Sequence, residues 1–237
     1  MFLFCSLLLL QACCVFANTE KTIFLCPSHL QVPATHPTLD DLHLESISPK
    51  HWSLRTYVQA EFPSNFSGYG QESWYLLEKL QEGQRYEVRI CWAATQPTSF
   101  RLDTFDLPTV FESPELITSL AQYSETRQIE LMEDFQPTES QGEKATHAHD
   151  GLSSTLFLRV LAAADYYTTN KTLMEQVPPV YVDIILDPFI FNVFPRSLVP
   201  TAAYIVLIAI GSWYLAKRIS GWMSSLSATE SSQKKEQ

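Results

Sequence analysis

Residues Arg85–Trp92 read RYEVRICW, with apolar and polar side chains in strict alternation. Successive side chains of a β-strand point to opposite faces. The apolar face therefore holds Tyr86, Val88, Ile90 and Trp92, and the polar face holds Arg85, Glu87, Arg89 and Cys91. One apolar face and one polar face are typical of an antiparallel strand that covers a core. This stretch predicts a sheet with one side buried.

Seven further segments are rich in β-branched, aromatic or alternating residues and are separated by clusters of Pro, Gly, Ser and Asn. Together with Arg85–Ala93 they are Thr22–Cys26, Leu42–Ile47, Trp52–Phe62, Trp74–Leu80, Phe100–Leu107, Thr155–Ala163 and Val180–Val193. Eight short strands with turn signals between them predict an all-β sandwich of the immunoglobulin or fibronectin type.

The approach to this strand and its first residues contain Leu80, Gly83 and Tyr86 at the spacing of a tyrosine corner. In such a corner the tyrosine hydroxyl bonds to the backbone a few residues upstream, where a sandwich strand begins. A plain hairpin around Glu82-Gly83 explains the same residues almost as well.

Two apolar blocks flank this domain. Residues 1–17 form an apolar run that ends Val15-Phe16-Ala17, which predicts a signal peptide cleaved before Asn18, with an uncleaved anchor as the alternative. Residues 198–216 carry no charge and are long enough to cross a bilayer. Lys217 and Arg218 follow at once, so the positive-inside bias predicts a type I protein with a cytosolic tail at 217–237.

Charge and composition exclude some classes of function. Residues 18–197 carry 24 acidic and 12 basic residues, a net charge of -12, which argues against nucleic-acid binding. No P-loop, GxSxG or HExxH motif is present, so the sequence predicts neither a catalytic site nor a cofactor. Asp40-Asp41 resembles an acidic catalytic pair but is predicted to be a turn.

Two cysteines remain beyond the leader, Cys26 and Cys91, each in a strand-like segment. An even number in an oxidising compartment predicts one disulfide, and two buried thiols are the alternative. Two sequons, at Asn65 and Asn170, predict that at least one asparagine is glycosylated.

The region between the sixth and seventh strands has a different composition. Ser113-Pro114 is predicted to open a short helix, with apolar residues at helical spacing after it. Residues 130–150 are rich in Glu, Ser, Thr and Gln and predict an acidic loop. His147, His149 and Asp150 within it are consistent with a metal site, but the absence of a second ligand cluster favours a solvated loop.

The membrane segment and tail carry two further signals. Ala202, Ala209, Ser212 and Ala216 fall on one face of a helix, where small side chains allow close approach of another helix. Lys234 and Lys235 stand fourth and third from the carboxyl end, the dilysine pattern for retrieval to the endoplasmic reticulum.

Three stretches carry a family resemblance: Asn18–Lys21 with the TIFL that follows, RYEVRICWAATQPTSF at 85–100, and PVYVDIILDPFIFNVFPRSLVP at 179–200. Together with a single span, they resemble the fungal co-activator family of GPI mannosyltransferase II. The resemblance implies a non-catalytic subunit of the endoplasmic reticulum membrane. Its implied partner is the multi-span transferase that adds the second mannose to the glycosylphosphatidylinositol precursor.

Two other classes of function compete with this interpretation. A cargo receptor of the p24 type also has a small lumenal β-domain, a cysteine pair and a dilysine tail, but it places a coiled coil before the membrane. Here that stretch is β-branched, aromatic and interrupted by Pro188 and Pro195, which argues against a coiled coil. A lumenal glycosidase needs paired carboxylates in a cleft, which the sequence alone does not exclude.

Overall fold

The computed structural model describes residues 18–28, 38–64, 69–133 and 154–233, and it describes only the backbone of residues 130–133 and 224–233. Nine strands occur in these ranges: β1 Thr19–Leu25, β2 Ser46–Ile47, β3 Ser53–Val58, β4 Gln71–Leu80, β5 Arg85–Trp92, β6 Thr98–Asp106, β7 Ser154–Ala164, β8 Val180–Ile190 and β9 Phe194–Pro195. The helices are α1 Leu107–Glu112, α2 Pro114–Glu133, α3 Lys171–Glu175 and α4 Val199–Gln233.

The strands form two sheets packed face to face. The first sheet has the order β1-β5-β8-β3, with β9 paired to β8, and the second has the order β2-β4-β7-β6. The strand pairs are antiparallel except for β2 and β4, which run parallel. The predicted β-rich fold with two sheets and a carboxyl-terminal apolar helix is confirmed, and each predicted strand segment contains a strand.

The core between the sheets follows the alternation seen in the sequence. Tyr86, Val88 and Ile90 of β5 are buried in it, and Trp92 packs against it. They meet Tyr75 and other inward side chains of the second sheet. One residue departs from the pattern, because Glu87 on the polar face is also buried.

The tyrosine corner is present. β4 lies in the second sheet and β5 in the first, so the chain crosses between the sheets over residues 81–84. The backbone N–H of Gln81 donates to the Tyr86 hydroxyl at 3.0 Å. Gly83, with φ +69°, makes the tight turn. A hairpin would have paired β4 with β5, and these strands are in different sheets.

A helical layer covers the outer side of the second sheet. Trp74, Leu76 and Phe157 point away from the sandwich core and pack with Val110 of α1 and Leu120 of α2. The run WYLL at 74–77 is therefore a strand buried on both faces.

Several predicted boundaries differ from the structure. α2, which the sequence predicts to be short, extends to Glu133, so the first four residues of the predicted acidic loop are helical. The rest of that loop, including His147, His149 and Asp150, lies outside the described residues. Of the strand predicted at Leu42–Ile47, only Ser46–Ile47 is a strand (β2), since Leu42 ends a 3-10 turn and residues 43–45 are irregular. Asp40 and Asp41 lie in this turn, as predicted.

Candidate interaction site at the membrane junction

α4 is an apolar helix that projects from the sandwich. In the part of the chain that the structure describes, one helix is long and apolar enough to cross a membrane, over Arg196–Met223, and none of it is buried within the chain. The predicted span 198–216 falls inside it. The helix continues beyond Ala216 as far as Gln233.

Ala202, Ala209, Ser212 and Ala216 lie on α4, as the sequence predicts. The last three are exposed and Ala202 is half-buried. At 100° per residue, the four positions fall within an arc of about 80°. We call these four positions the small-residue face of α4.

Asp187 of β8 joins the start of this helix to the first sheet. The backbone N–H of Ser197, in the 3-10 turn Arg196–Leu198, lies 3.3 and 3.2 Å from the two carboxylate oxygens of Asp187. Arg89 of β5 donates from Nη1 to Ser197 Oγ at 3.4 Å. Two neighbouring strands thus hold the residues that lead into the membrane helix.

A second buried carboxylate lies beside Asp187. Glu87 and Asp187 are directly opposed in the β5–β8 register. Glu87 is paired with Lys21 Nζ at 3.1 Å and with Arg89 Nη1 at 3.7 Å. Like charges in opposed positions repel. The two cations and the Ser197 N–H offset that repulsion, so the carboxylates are held as parts of an ion-pair cluster.

A cavity of about 420 Å³ opens next to this cluster. Its lining includes Trp52, Arg89, Asp187, Arg196 and Ser197. It therefore combines two guanidinium groups, one carboxylate and one aromatic ring at the base of the membrane helix.

The β8–β9 turn beside the junction is held in an unusual conformation. Phe191 and Asn192 have φ values of 52° and 59°. The Asn192 side chain accepts the N–H of Arg85 at 2.8 Å and donates to the Gly83 carbonyl at 2.7 Å. Asn tolerates this region well but Phe does not. The turn thus ties the tyrosine corner to the junction while leaving Phe191 93% exposed.

The predicted disulfide is wrong in this structure, in which Cys26 and Cys91 are free thiols. Cys91 pairs with Thr19 at the start of β1, while Cys26 follows the opposite end of that strand. Seven residues of strand separate the two positions by about 20 Å, far beyond the 7 Å limit between the Cα atoms of a disulfide. Burial raises the pKa of the Cys26 thiol above its ordinary value.

The other predicted site residues are not brought into this site. Asn170 is exposed and caps α3, where its side chain accepts the Thr172 N–H at 3.1 Å. Its glycosylation stays a prediction. Asn65, Lys234 and Lys235 lie outside the described residues.

Sequence reasoning missed Arg89, Asp187 and Ser197 as a connected group. The local signal was weak, since Asp187 is simply a polar residue at an outward position of an apolar strand. Their contact depends on the pairing register of β5 and β8. It also depends on the antiparallel pairing of β9 with β8, which brings Ser197 back beside Asp187. Residue patterns do not specify either pairing.

The described ranges contain no group of three or more His, Cys, Asp or Glu side chains placed to hold a metal ion. The ion-pair cluster and the adjoining cavity offer ion pairing, hydrogen bonding and apolar packing.

Comparison with known proteins identifies the family. The Pga1 family model, described as GPI-mannosyltransferase II co-activator, matches residues 8–219. The chain matches no curated protein and no solved structure. The family match spans the sandwich, the junction and most of the apolar helix. The chain therefore belongs to the Pga1 family of GPI-mannosyltransferase II co-activators.

Proposed function

We propose that this chain is a non-catalytic subunit of the endoplasmic reticulum membrane that stabilises or activates GPI mannosyltransferase II, the enzyme that adds the second mannose to the glycosylphosphatidylinositol precursor. The observation that carries the proposal is the co-activator family match over residues 8–219. Its catalytic partner is a multi-span protein that binds α4 within the membrane.

The two carboxylates at the membrane junction are not arranged as a catalytic pair. A glycosidase-like site needs a carboxylic acid and a carboxylate facing a substrate cleft. Glu87 is held by Lys21 and Arg89, and Asp187 accepts the Ser197 N–H. Both groups thus have structural partners.

The small-residue face of α4 is the proposed contact with the partner. In lipid, helices associate through close packing and not through the hydrophobic effect. Ala209 and Ser212 are exposed at the middle of the apolar segment, where a neighbouring backbone can approach closely. This interface needs no buried charge.

The proposed location and orientation follow from residues at the two ends of the chain. Cleavage after Ala17 places the sandwich in the lumen, and Lys234 and Lys235 in the cytosol return the protein to the endoplasmic reticulum. Changing both lysines to serine in a strain that lacks the partner tests the retrieval signal, since the partner alone would otherwise retain the protein.

The helix contact is tested by placing leucine at both Ala209 and Ser212. The bulkier side chains fill the close-approach face, so we expect reduced copurification of the mannosyltransferase in mild detergent. The matched control places leucine at Ala203 and Gly211, which lie about 140° from the centre of that face. An equal effect of the two double variants would contradict the proposed interface.

Depletion tests the function itself. We expect lipid-linked precursors with a single mannose to accumulate, while the purified chain alone transfers no mannose. A normal precursor profile with secretory cargo stalled in the endoplasmic reticulum would instead support the cargo-receptor class.

A further inference from the structure

The outer face of the first sheet has a composition unlike that of the rest of the domain. We define this outer face as the outward residues of β1, β5, β8 and β3 together with the 3-10 turn Arg196–Leu198, which contacts β8 and β5. Its basic residues are Lys21, Arg55, Arg85, Arg89 and Arg196, and its acidic residues are Glu87, Asp183 and Asp187.

The charge of this face is opposite to that of its surroundings. Its five basic and three acidic residues give it a net charge of +2, whereas residues 18–197 carry 12 basic and 24 acidic residues. The remainder of the domain therefore carries -14. Positive charge is concentrated on one side of a strongly acidic domain, which favours an anionic binding partner on that side.

Each acid of the outer face has a local partner. Asp183 accepts two hydrogen bonds from Arg55, at 2.7 and 3.1 Å. Glu87 pairs with Lys21 and Arg89, and Asp187 binds the Ser197 backbone. Arg85 and Arg196, both exposed, add positive charge beyond these pairs.

Exposed apolar and aromatic side chains accompany the basic residues. Tyr57 and Tyr181 lie opposite each other on β3 and β8, with ring centroids 4.9 Å apart and ring planes tilted by 49°, and both are exposed. Ile23 and Leu25 are more than half exposed on β1, and Trp52 lines the cavity beside Arg89 and Arg196. Tyr and Trp next to Arg and Lys are typical of surfaces at a membrane interface.

The membrane helix leaves from this same face. Ser197 contacts the outward side chains of Asp187 and Arg89, and the helix begins two residues later at Val199. The part of this surface around Arg89, Asp187 and Trp52 is therefore close to the start of α4, whereas Tyr57 and Tyr181 lie towards the other end of β8.

We infer that the outer face of the first sheet is a second membrane contact, which binds anionic phospholipid headgroups in the lumenal leaflet, and the choice of leaflet rests on the proposed function. Guanidinium and ammonium groups meet headgroup phosphates, and the exposed aromatic rings lie at headgroup depth. This contact is separate from the proposed binding of another helix to α4.

The test uses the full chain in nanodiscs of neutral lipid or of neutral lipid mixed with phosphatidylserine, which gives the bilayer a negative surface potential. Ile23→Cys, with Cys91→Ser, carries an environment-sensitive fluorophore at position 23, and peptide mass confirms its location. Ile129→Cys on α2 is the control position, because this exposed residue lies in the helical layer on the other side of the domain.

We expect the emission at position 23 to shift to shorter wavelength in anionic nanodiscs only, and the emission at position 129 to stay unchanged. Raising the salt to about 1 M shortens the screening length to ~3 Å and should remove most of the shift. The comparison of lipids and salt changes no charged residue of the outer face. Its result therefore does not depend on whether a charge variant folds.

Charge reversal then identifies the residues that bind. Arg85→Glu with Arg196→Glu should abolish most of the shift, whereas Lys79→Glu with Lys171→Glu, the same change in net charge elsewhere on the domain, should preserve it. A label at position 23 that is equally solvent-exposed in both lipids would overturn the inference. So would protection that appears in neutral nanodiscs only after the mannosyltransferase is added, since the face would then bind protein.

Discussion

Among the glycines that the structure describes, Gly70 has the closest neighbouring backbone. Its φ is +80°, and a Cβ built on it would overlap the backbone of Ala162 and Ala163 in β7. Gly83 also has a positive φ, +69°, but a Cβ there meets open space. Substitutions at the two glycines therefore distinguish the effect of backbone strain from that of steric overlap.

We expect Gly70→Ala to lower the free energy of unfolding by at least about 2 kcal/mol, because conformational strain and a clash with β7 act together. Gly83→Ala should cost only about 1 kcal/mol, the strain alone. Denaturant titration followed by tryptophan fluorescence measures both. Equal losses would show that the close approach of Gly70 to β7 does not matter.

The two cysteines differ in environment as well as in position. Cys26 is buried, and burial raises the pKa of its thiol, so less of the reactive thiolate exists at a given pH. Cys91 is half-buried on the outer face of the first sheet. We expect iodoacetamide to modify Cys91 before Cys26 in the folded protein.

In urea without reductant, both thiols should react at similar rates. Peptide mapping by mass spectrometry follows the two sites separately. Recovery of a peptide in which Cys26 is joined to Cys91 would contradict the free thiols of the structure and restore the disulfide that the sequence predicts.

At the scale of elements, α2 is the main addition to a simple sandwich. Leu120 is buried against the outer side of the second sheet, where Ser119 accepts the Trp74 indole N–H at 2.9 Å and donates to Glu72. Arg159 reaches Glu72 at 3.7 Å and Asp103 at 2.9 Å. The helix is thus held by apolar packing and by a polar network.

Leu120→Ala should destabilise the domain by about 2–4 kcal/mol, because it leaves a cavity between the helix and the sheet. The control Ile129→Ala lies on the same helix but is exposed, and it should change stability by less than about 0.5 kcal/mol. Thermal or denaturant unfolding measures the difference. Similar values for the two variants would mean that α2 contributes little to the core.

The sequence is sufficient for the sandwich because alternation in RYEVRICW and the corner residue Tyr86 are local signals. It is less informative for the helical layer, since a doubly buried run such as WYLL at 74–77 does not show which element covers its second face. The failed Cys26–Cys91 prediction and the unpredicted contact of Asp187 with Ser197 share a cause. Both depend on the register of β5 against its neighbours, which is fixed by packing of the whole sheet.

At the scale of the whole molecule, the junction decides whether the sandwich and α4 act as one unit. The first sheet and the turn before α4 meet through Asp187, Arg89 and Ser197. We have proposed different partners for the outer face and for the small-residue face of α4. Through this junction, we expect a helix bound to α4 to fix the position of the sandwich as well.

Asp187→Ala removes the acceptor of the Ser197 N–H and leaves the start of the helix less tightly held. A loss of about 1.5–3 kcal/mol in the local opening free energy is expected for such a bond to a charged group. That corresponds to roughly 10- to 150-fold faster tryptic cleavage after the exposed Arg196, when opening precedes cleavage.

Asp183→Ala is the matched control, because Asp183 lies on the same strand and the same face but pairs with Arg55, away from the helix. Its cleavage rate after Arg196 should stay close to that of the unmodified protein. Equal acceleration in both variants would assign the effect to general loss of charge on the outer face. Faster cleavage in Asp187→Ala alone would show that one buried carboxylate couples the sandwich to its membrane helix, and we would then expect that variant to bind the mannosyltransferase through α4 while activating it less.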